Sequence, residues 1–200
     1  MIKTKKDLCF YLKEDAKRNG INNQLKYYLK LLCGRENACA YRYIKCMRYC
    51  EYHLNNISNP LHKILYYFYR VKLSRLGLRY NIQIAPNTCG YGLRLMHLSG
   101  GILLNVKSVG NYCGFNSGVL LGNTDNRDNR PTLGDYVAFG PGAKAFGKIT
   151  IGNNVFVAPN AVLTKDVPDN VIVGGVPAKI LKEKDKNDGK RPIMTYCPNT

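Results

Sequence analysis

Two hydrophobic periods share this chain, and they change over near residue 80. Up to Leu76 the apolar positions recur every three or four residues: Leu25, Leu29 and Leu32; then Tyr41, Ile44, Met47 and Cys50; then Leu61, Ile64, Leu65, Phe68, Val71 and Leu76. That spacing gathers each set on one face of a helix. Asn59 followed by Pro60 predicts the start of the last helix, with Asn as its cap and Pro in the first turn, where a missing N–H costs nothing. Gly77 is its expected end, and Gly20 and Gly34 are expected breaks between earlier helices.

From residue 81 the period becomes six. Residues 149–162 read ITIGNNVFVAPNAV: rich in β-branched residues, yet interrupted every few positions by Gly, Asn-Asn or Pro-Asn, so any strand there is short. Positions 133, 139, 145, 151, 157 and 163 are Leu, Phe, Ala, Ile, Val and Leu, and positions 137, 143, 149, 155, 161 and 167 are Val, Ala, Ile, Val, Ala and Val. Val109, Phe115 and Leu121 extend the first series upstream. A fixed period of six is that of a parallel β-helix. Each hexapeptide makes one strand and one turn, and three make a triangular coil. Stacked coils pair their strands about 4.8 Å apart around an apolar interior. Gly, Asn and Asp suit the corners because they tolerate unusual backbone angles. The expected fold is mainly β: a parallel β-helix over 81–181, preceded by an α-helical segment over 1–80. A charged tail over 182–200 is expected to be disordered.

Charge adds a second contrast between the halves. The net charge is +17, with 17 Lys/Arg against 5 Asp/Glu in residues 1–80 and 13 against 8 in the rest. The helical segment also holds 11 of the 15 tyrosines. A basic, aromatic, amphipathic helix suits peripheral contact with an anionic membrane. Packing of its apolar stripe against the neighbouring β domain is the preferred reading, because the stripe needs burial and that domain is at hand. Nucleic acid is not an expected partner. No run has the roughly eighteen apolar residues of a membrane span, and MIKTKKDLCFYLKEDAKRNG lacks the apolar segment and cleavage site of a signal peptide. The eight cysteines include no CxxC pair. Cys46, Cys50 and His53 share a helical face but lack a fourth ligand, so no metal is expected. Free thiols in a reducing, cytoplasmic location are the expectation.

Three stretches carry a resemblance: GYGLRLMHLSGGI at 90–102, GPGAKAFGKITIG at 140–152 and NAVLTKDVPDNVIVGGVPAKIL at 160–181. They resemble the hexapeptide-repeat acyltransferases with a left-handed β-helix, above all serine acetyltransferases and the O-acetyltransferases of bacterial surface polysaccharides. The resemblance covers about residues 81 to 181 and supplies the handedness. It implies acetyl transfer from acetyl-CoA by a homotrimer, with the cosubstrate in the groove between neighbouring subunits. By motif position Gly140, Pro141, Ala158, Pro159, Thr164, Lys165 and Lys179 would hold acetyl-CoA, with Lys179 of VPAKI meeting a phosphate.

An acceptor hydroxyl needs a base to remove its proton, and neutral imidazole suits that task at neutral pH. His97, in LRLMHLSGG, matches the catalytic His of serine acetyltransferases; His53 and His62 fall in the helical region. His97 would take the hydroxyl proton as the oxygen attacks the thioester directly, with a backbone N–H holding the oxyanion. Three departures stand out. Serine acetyltransferases place an Asp upstream to orient the ring, whereas YNIQIAPNTCGYG has no carboxylate, and Gln83 lies nearest that position. They also have an Asp directly before the His, where this chain has Met96. In the loop GNTDNRDNRPTL their Arg-His pair is replaced by Asn129 and Arg130. Asn123, Asp125, Arg127, Asp128 and Arg130 would then contact the acceptor. The leading expectation is an O-acetyltransferase acting on a sugar or surface-polysaccharide precursor. Serine O-acetylation is the alternative, and a non-catalytic basic scaffold for membrane or nucleic acid is a third reading.

Overall fold

A computed structural model describes residues 1–126 and 128–184. Four helices come first: α1 (Lys5–Arg18), α2 (Gln24–Leu32), α3 (Glu36–Leu54) and α4 (Pro60–Tyr80). Their starts follow the local chemistry. Thr4 and Asp7 form a reciprocal capping box, and the Asn23 and Asn59 side chains accept the first N–H groups of α2 and α4, which a helix leaves unpaired at that end. Gly20 and Gly34 adopt φ of +68° and +66° at the breaks. The helix α4 does not stop at Gly77 but runs on to Tyr80 and ends at Asn81 in the left-handed region. Gly77 has another use: a Cβ there would lie 2.6 Å from the Ile82 carbonyl oxygen. Only a bare backbone lets the helix approach the first strand so closely.

Fourteen strands among the described residues then wind through three parallel sheets. One face stacks β1 (Ile82–Ile84), β3 (Ile102–Leu104), β6 (Val119–Gly122), β9 (Lys144–Phe146) and β12 (Val162–Leu163). A second stacks β4 (Ser108–Val109), β7 (Thr132–Leu133) and β10 (Thr150–Ile151). The third stacks β2 (Arg94–Leu95), β5 (Gly114–Phe115), β8 (Ala138–Phe139), β11 (Phe156–Val157) and β13 (Val171–Gly175), and the antiparallel β14 (Ala178–Glu183) ends it. The last strand thus runs to Glu183, beyond residue 181; residues 185–200 of the expected tail lie outside the described residues.

Leu133 pairs with Ile151 and Phe139 with Val157, so a regular coil advances three hexapeptides. Val109 pairs with Leu133 rather than with residue 127. The excursion between β6 and β7 is therefore one extra hexapeptide long, which is why the apolar series keeps its phase across it. All twelve positions of the two six-residue series from 133 to 167 are buried. At one corner the side chains stack as a ladder: Asp135 Oδ1 accepts the Asn111 N–H at 2.7 Å, Asn153 Oδ1 the Asp135 N–H at 2.8 Å, and Asp169 Oδ1 the Asn153 N–H at 2.6 Å. Each corner amide thereby finds a partner in the next coil.

The helices pack on the first coils through α3, whose Ile44, Met47 and Cys50 are fully buried. A buried charge cluster fastens the joint. Arg48 Nε lies 2.8 Å from Asp15 and Nη1 3.0 Å from Glu51, and the guanidinium also donates to the carbonyls of Cys89 and Gly90. The carboxylates reach on to the N–H groups of Leu93 and Asn87. The expectation that the apolar stripes of the other helices are covered is not met. Leu25, Leu29 and Leu32 of α2 are exposed, as are Leu61, Ile64, Phe68 and Val71 of α4. In α4 it is Leu73 and Leu76 that are buried, Leu76 alone of the expected stripe, where the helix lies against α3 and β1.

Candidate active site

One edge of the prism collects most of the residues singled out by motif. It is the edge between the third face and the first, and each coil turns it once. His97 turns it in the first coil, in the left-handed region at φ 53°, followed by the short 3-10 turn Leu98–Gly100. Ser117 and Gly118 turn it next, then Gly140–Gly142, then Ala158–Asn160. Backbone bonds join the successive corners: Gly118 N–H to Gly101 O at 2.7 Å, Gly142 N–H to Ser117 O at 2.8 Å and Asn160 N–H to Pro141 O at 2.8 Å. Lys179 pairs with Gly174 near the far end of this column. At about 4.8 Å per coil, His97 stands about 10 Å from the Gly140 coil and about 14 Å from that of Ala158. The small residues have a packing reason. A Cβ on Gly140 would lie 2.8 Å from the Pro159 nitrogen, so the corner below leaves no room for one.

His97 is exposed, and its Nδ1 lies 3.7 Å from Glu36 Oε2. The other oxygen, Oε1, accepts the Leu98 N–H at 2.6 Å. Glu36 stands in the first turn of α3, so the helical segment reaches over to pin the turn after His97 and to set a carboxylate beside the ring. Gln83, the expected partner, sits on β1 opposite Leu103, on the first face rather than on the His97 corner. Its side chain lines a groove of about 670 Å³ between α4 and that face. Glu36 lies 62 residues upstream of Leu98, beyond any local motif. The signal available was its isolation: between residues 19 and 50 it is the only carboxylate.

The remaining candidates lie on the next edge, between the first face and the second. Thr164 and Lys165 follow β12 there, exposed, and the excursion loop leaves from the same edge. In that loop the Asn123 amide is held by Asn105 and the Thr124 carbonyl, Asp125 and Asp128 are exposed, and Arg130 is half-buried. Arg127 lies outside the described residues. A whole face therefore separates the loop from His97 within one chain. Cys113 is core: its thiol donates to the Gly134 carbonyl, and burial pushes it up to about 12. Burial likewise raises Cys46 and Cys50 to about 11. Among the described residues no group of three or more His, Cys, Asp or Glu is arranged to hold a metal. His53 and His62 face each other, Nδ1 to Nδ1 at 3.1 Å, in the α3–α4 joint.

No family model matches the chain. A serine acetyltransferase of Helicobacter pylori strain J99 is 34% identical over 130 residues, covering 62% of this chain and 75% of that enzyme. One from Synechococcus elongatus is 32% identical over 131 residues, covering 60% of this chain and 54% of its own length. Among solved structures, that of Neisseria gonorrhoeae serine acetyltransferase in complex with serine superposes with a TM-score of 0.68 at 28% identity, over 89% of this chain and 70% of that one. Helices followed by a left-handed parallel β-helix of hexapeptide repeats define the class, the hexapeptide acyltransferases. Within it the chain belongs to the serine acetyltransferase family. It spans about half the length of the cyanobacterial relative.

Proposed function

We propose that this chain transfers the acetyl group of acetyl-CoA to the side-chain hydroxyl of L-serine, as a homotrimer. The observation that carries the reading is His97 on a prism edge with the Glu36 carboxylate beside Nδ1. With the Nδ1 proton turned to Glu36, Nε2 keeps its lone pair for the acceptor hydroxyl. The hydroxyl oxygen bonds to the thioester carbonyl carbon as Nε2 takes its proton. The C–S bond then breaks, and the imidazolium returns the proton to the thiolate. Glu36 supplies the negative charge that the stretch before His97 lacks, which removes one objection to serine as the acceptor. The relatives named above carry serine in their names, and the gonococcal structure was determined with serine bound.

The cosubstrate would run down the column from His97 past Gly140, Pro141, Ala158 and Pro159 to Lys179. Thr164, Lys165 and the excursion loop reach such a ligand only when the second edge of another copy packs against this one, and that is the reason for the trimer. A closed ring of three has a mass of about 67 kDa from chains of 22.5 kDa. A monomer by light scattering at assay concentration would leave the site without its second edge and reject the assembly.

A second acceptor, a sugar hydroxyl, is favoured by the exposed Asp125, Asn126 and Asp128 of the loop, since planar polar groups pair well with adjacent hydroxyls. Thiol release from acetyl-CoA, measured with L-serine and with a panel of sugars, decides between them. The expected result is kcat/KM for serine of about 10⁴ M⁻¹s⁻¹ or more, well above any sugar. The reverse order moves the acceptor to a sugar, and no release with either rejects acetyl transfer.

Two substitutions test the edge. Glu36→Gln keeps the acceptor for the Leu98 N–H but removes the charge. An exposed pair of this kind is worth up to about 1 kcal/mol, so kcat is expected to fall roughly fivefold with the KM for acetyl-CoA and the melting temperature unchanged. An unchanged kcat would leave Glu36 a purely structural clasp. Lys179→Ala is expected to weaken CoA binding several-fold, on the order of one exposed phosphate contact, with less effect on dephospho-CoA. Equal CoA affinity by titration calorimetry would remove Lys179 from the site.

A further inference from the structure

The exposed apolar side chains of α4 form one continuous stripe. Leu61, Ile64, Phe68, Val71 and Leu78 are between 54% and 84% exposed, and with Arg75 they recur at spacings of three and four along a helix about 31 Å long. A patch of this extent marks a surface that meets something. The charges around it say what. The helix α4 carries Lys63, Arg70, Lys72, Arg75 and Arg79 and no carboxylate; α2, also apolar on its exposed side, carries Lys26 and Lys30 and no carboxylate. Between residues 19 and 80, eleven Lys/Arg accompany two carboxylates, Glu36 and Glu51, and both turn toward the β-helix. An open groove of about 640 Å³ shows the pattern in miniature, with Phe68 and Val71 in its wall beside Arg42, Lys72 and Arg75.

The same stripe of a second copy is the wrong complement. Two α4 stripes laid together would set Arg75 at the seam, with Lys72 and Arg79 on its flank, against the same cations and no acid. The matching surface is apolar inside and anionic outside. We propose that the exposed stripe of α4 docks on a lipid bilayer bearing anionic phospholipid headgroups. The helix lies in the plane of the interface, its Leu, Ile and Phe side chains sunk to the acyl boundary. The long stems of Lys72, Arg75 and Arg79 carry their charges back up to the phosphates. Among the described residues no helix is long and apolar enough to cross a membrane, so the contact is with one leaflet.

The test is co-sedimentation of the full chain with vesicles of phosphatidylcholine alone and of an equal mixture of phosphatidylcholine and phosphatidylglycerol. Binding is expected to the mixture only. Phe68→Asp with Val71→Asp should reduce it at least about tenfold, and Lys72→Glu with Arg75→Glu at least about twenty-five-fold, near fivefold for each cation lost. All these side chains are exposed, so melting temperature and thiol release should be unchanged, which separates this proposal from that of acetyl transfer. No sedimentation with the mixture, or equal sedimentation of the Phe68/Val71 variant, overturns it. So does a loss of oligomeric mass in that variant, which assigns the stripe to another copy, and so does binding of an acidic protein in preference to the mixed vesicles.

Discussion

Replacing His97 by alanine is expected to lower kcat at least about a hundredfold, the usual scale of a general base, while CoA affinity stays near its original value. The backbone makes the control necessary. His97 holds φ 53°, where alanine is strained by roughly 1–2 kcal/mol, so the turn could shift and carry Leu98 away from Glu36. His97→Asn avoids this, because Asn visits the left-handed region readily yet cannot accept the proton. The two variants should lose turnover alike, and His97→Asn should keep its melting temperature. Turnover near the original in His97→Asn would show that water or another group takes the proton, and the column below His97 would then be only a binding groove.

The second large effect concerns the joint between helices and β-helix. Arg48 is fully buried between Asp15 and Glu51, themselves 0% and 2% exposed. Burial alone would favour a neutral guanidinium, but the two carboxylates outweigh it and hold the charge. Arg48→Met removes the cation and strands both anions, which costs about 3–5 kcal/mol. For a domain of this size that lowers the melting temperature by about 10 °C or more. Adding Asp15→Asn should recover part of the loss, because only one charge then stays unpaired. A fall of under about 1 kcal/mol would mean that water reaches the cluster. Because α3 carries Glu36, the same variant should also lower kcat below melting, as the carboxylate beside His97 loses its fixed position.

This joint marks the limit of what the sequence discloses. The six-residue period is legible because each coil repeats one local decision, an inward side chain followed by a corner, so Phe139, Ala145 and Ile151 identify themselves without tertiary information. The column from His97 to Ala158 is legible only through the resemblance to the acyltransferase motifs, because its coils advance by 20, 24 and 18 residues and no single period marks its corners. Arg48, Asp15 and Glu51 are illegible because a charge on an amphipathic helix is expected to face water; only the carbonyls of Cys89 and Gly90, supplied by another element, make burial tolerable. Glu36 is hidden likewise by its distance along the chain. The stripe of α4 misleads in the other direction. Its period is genuine, but periodicity reports that a face is apolar and not what lies against it.

The antiparallel return of β14 has a consequence for how molecules of this kind can accumulate. A parallel stack has no intrinsic last rung: the outer edge of β13 would otherwise offer its unpaired N–H and C=O groups to a strand from the next molecule, and end-on growth of that kind leads to fibres. β14 occupies that edge with the strand direction reversed and presents exposed Lys179 and Lys182 outward, so a second prism arriving end-on meets charge and the wrong polarity. Growth along the axis is thereby blocked on this face, at the end where β14 lies.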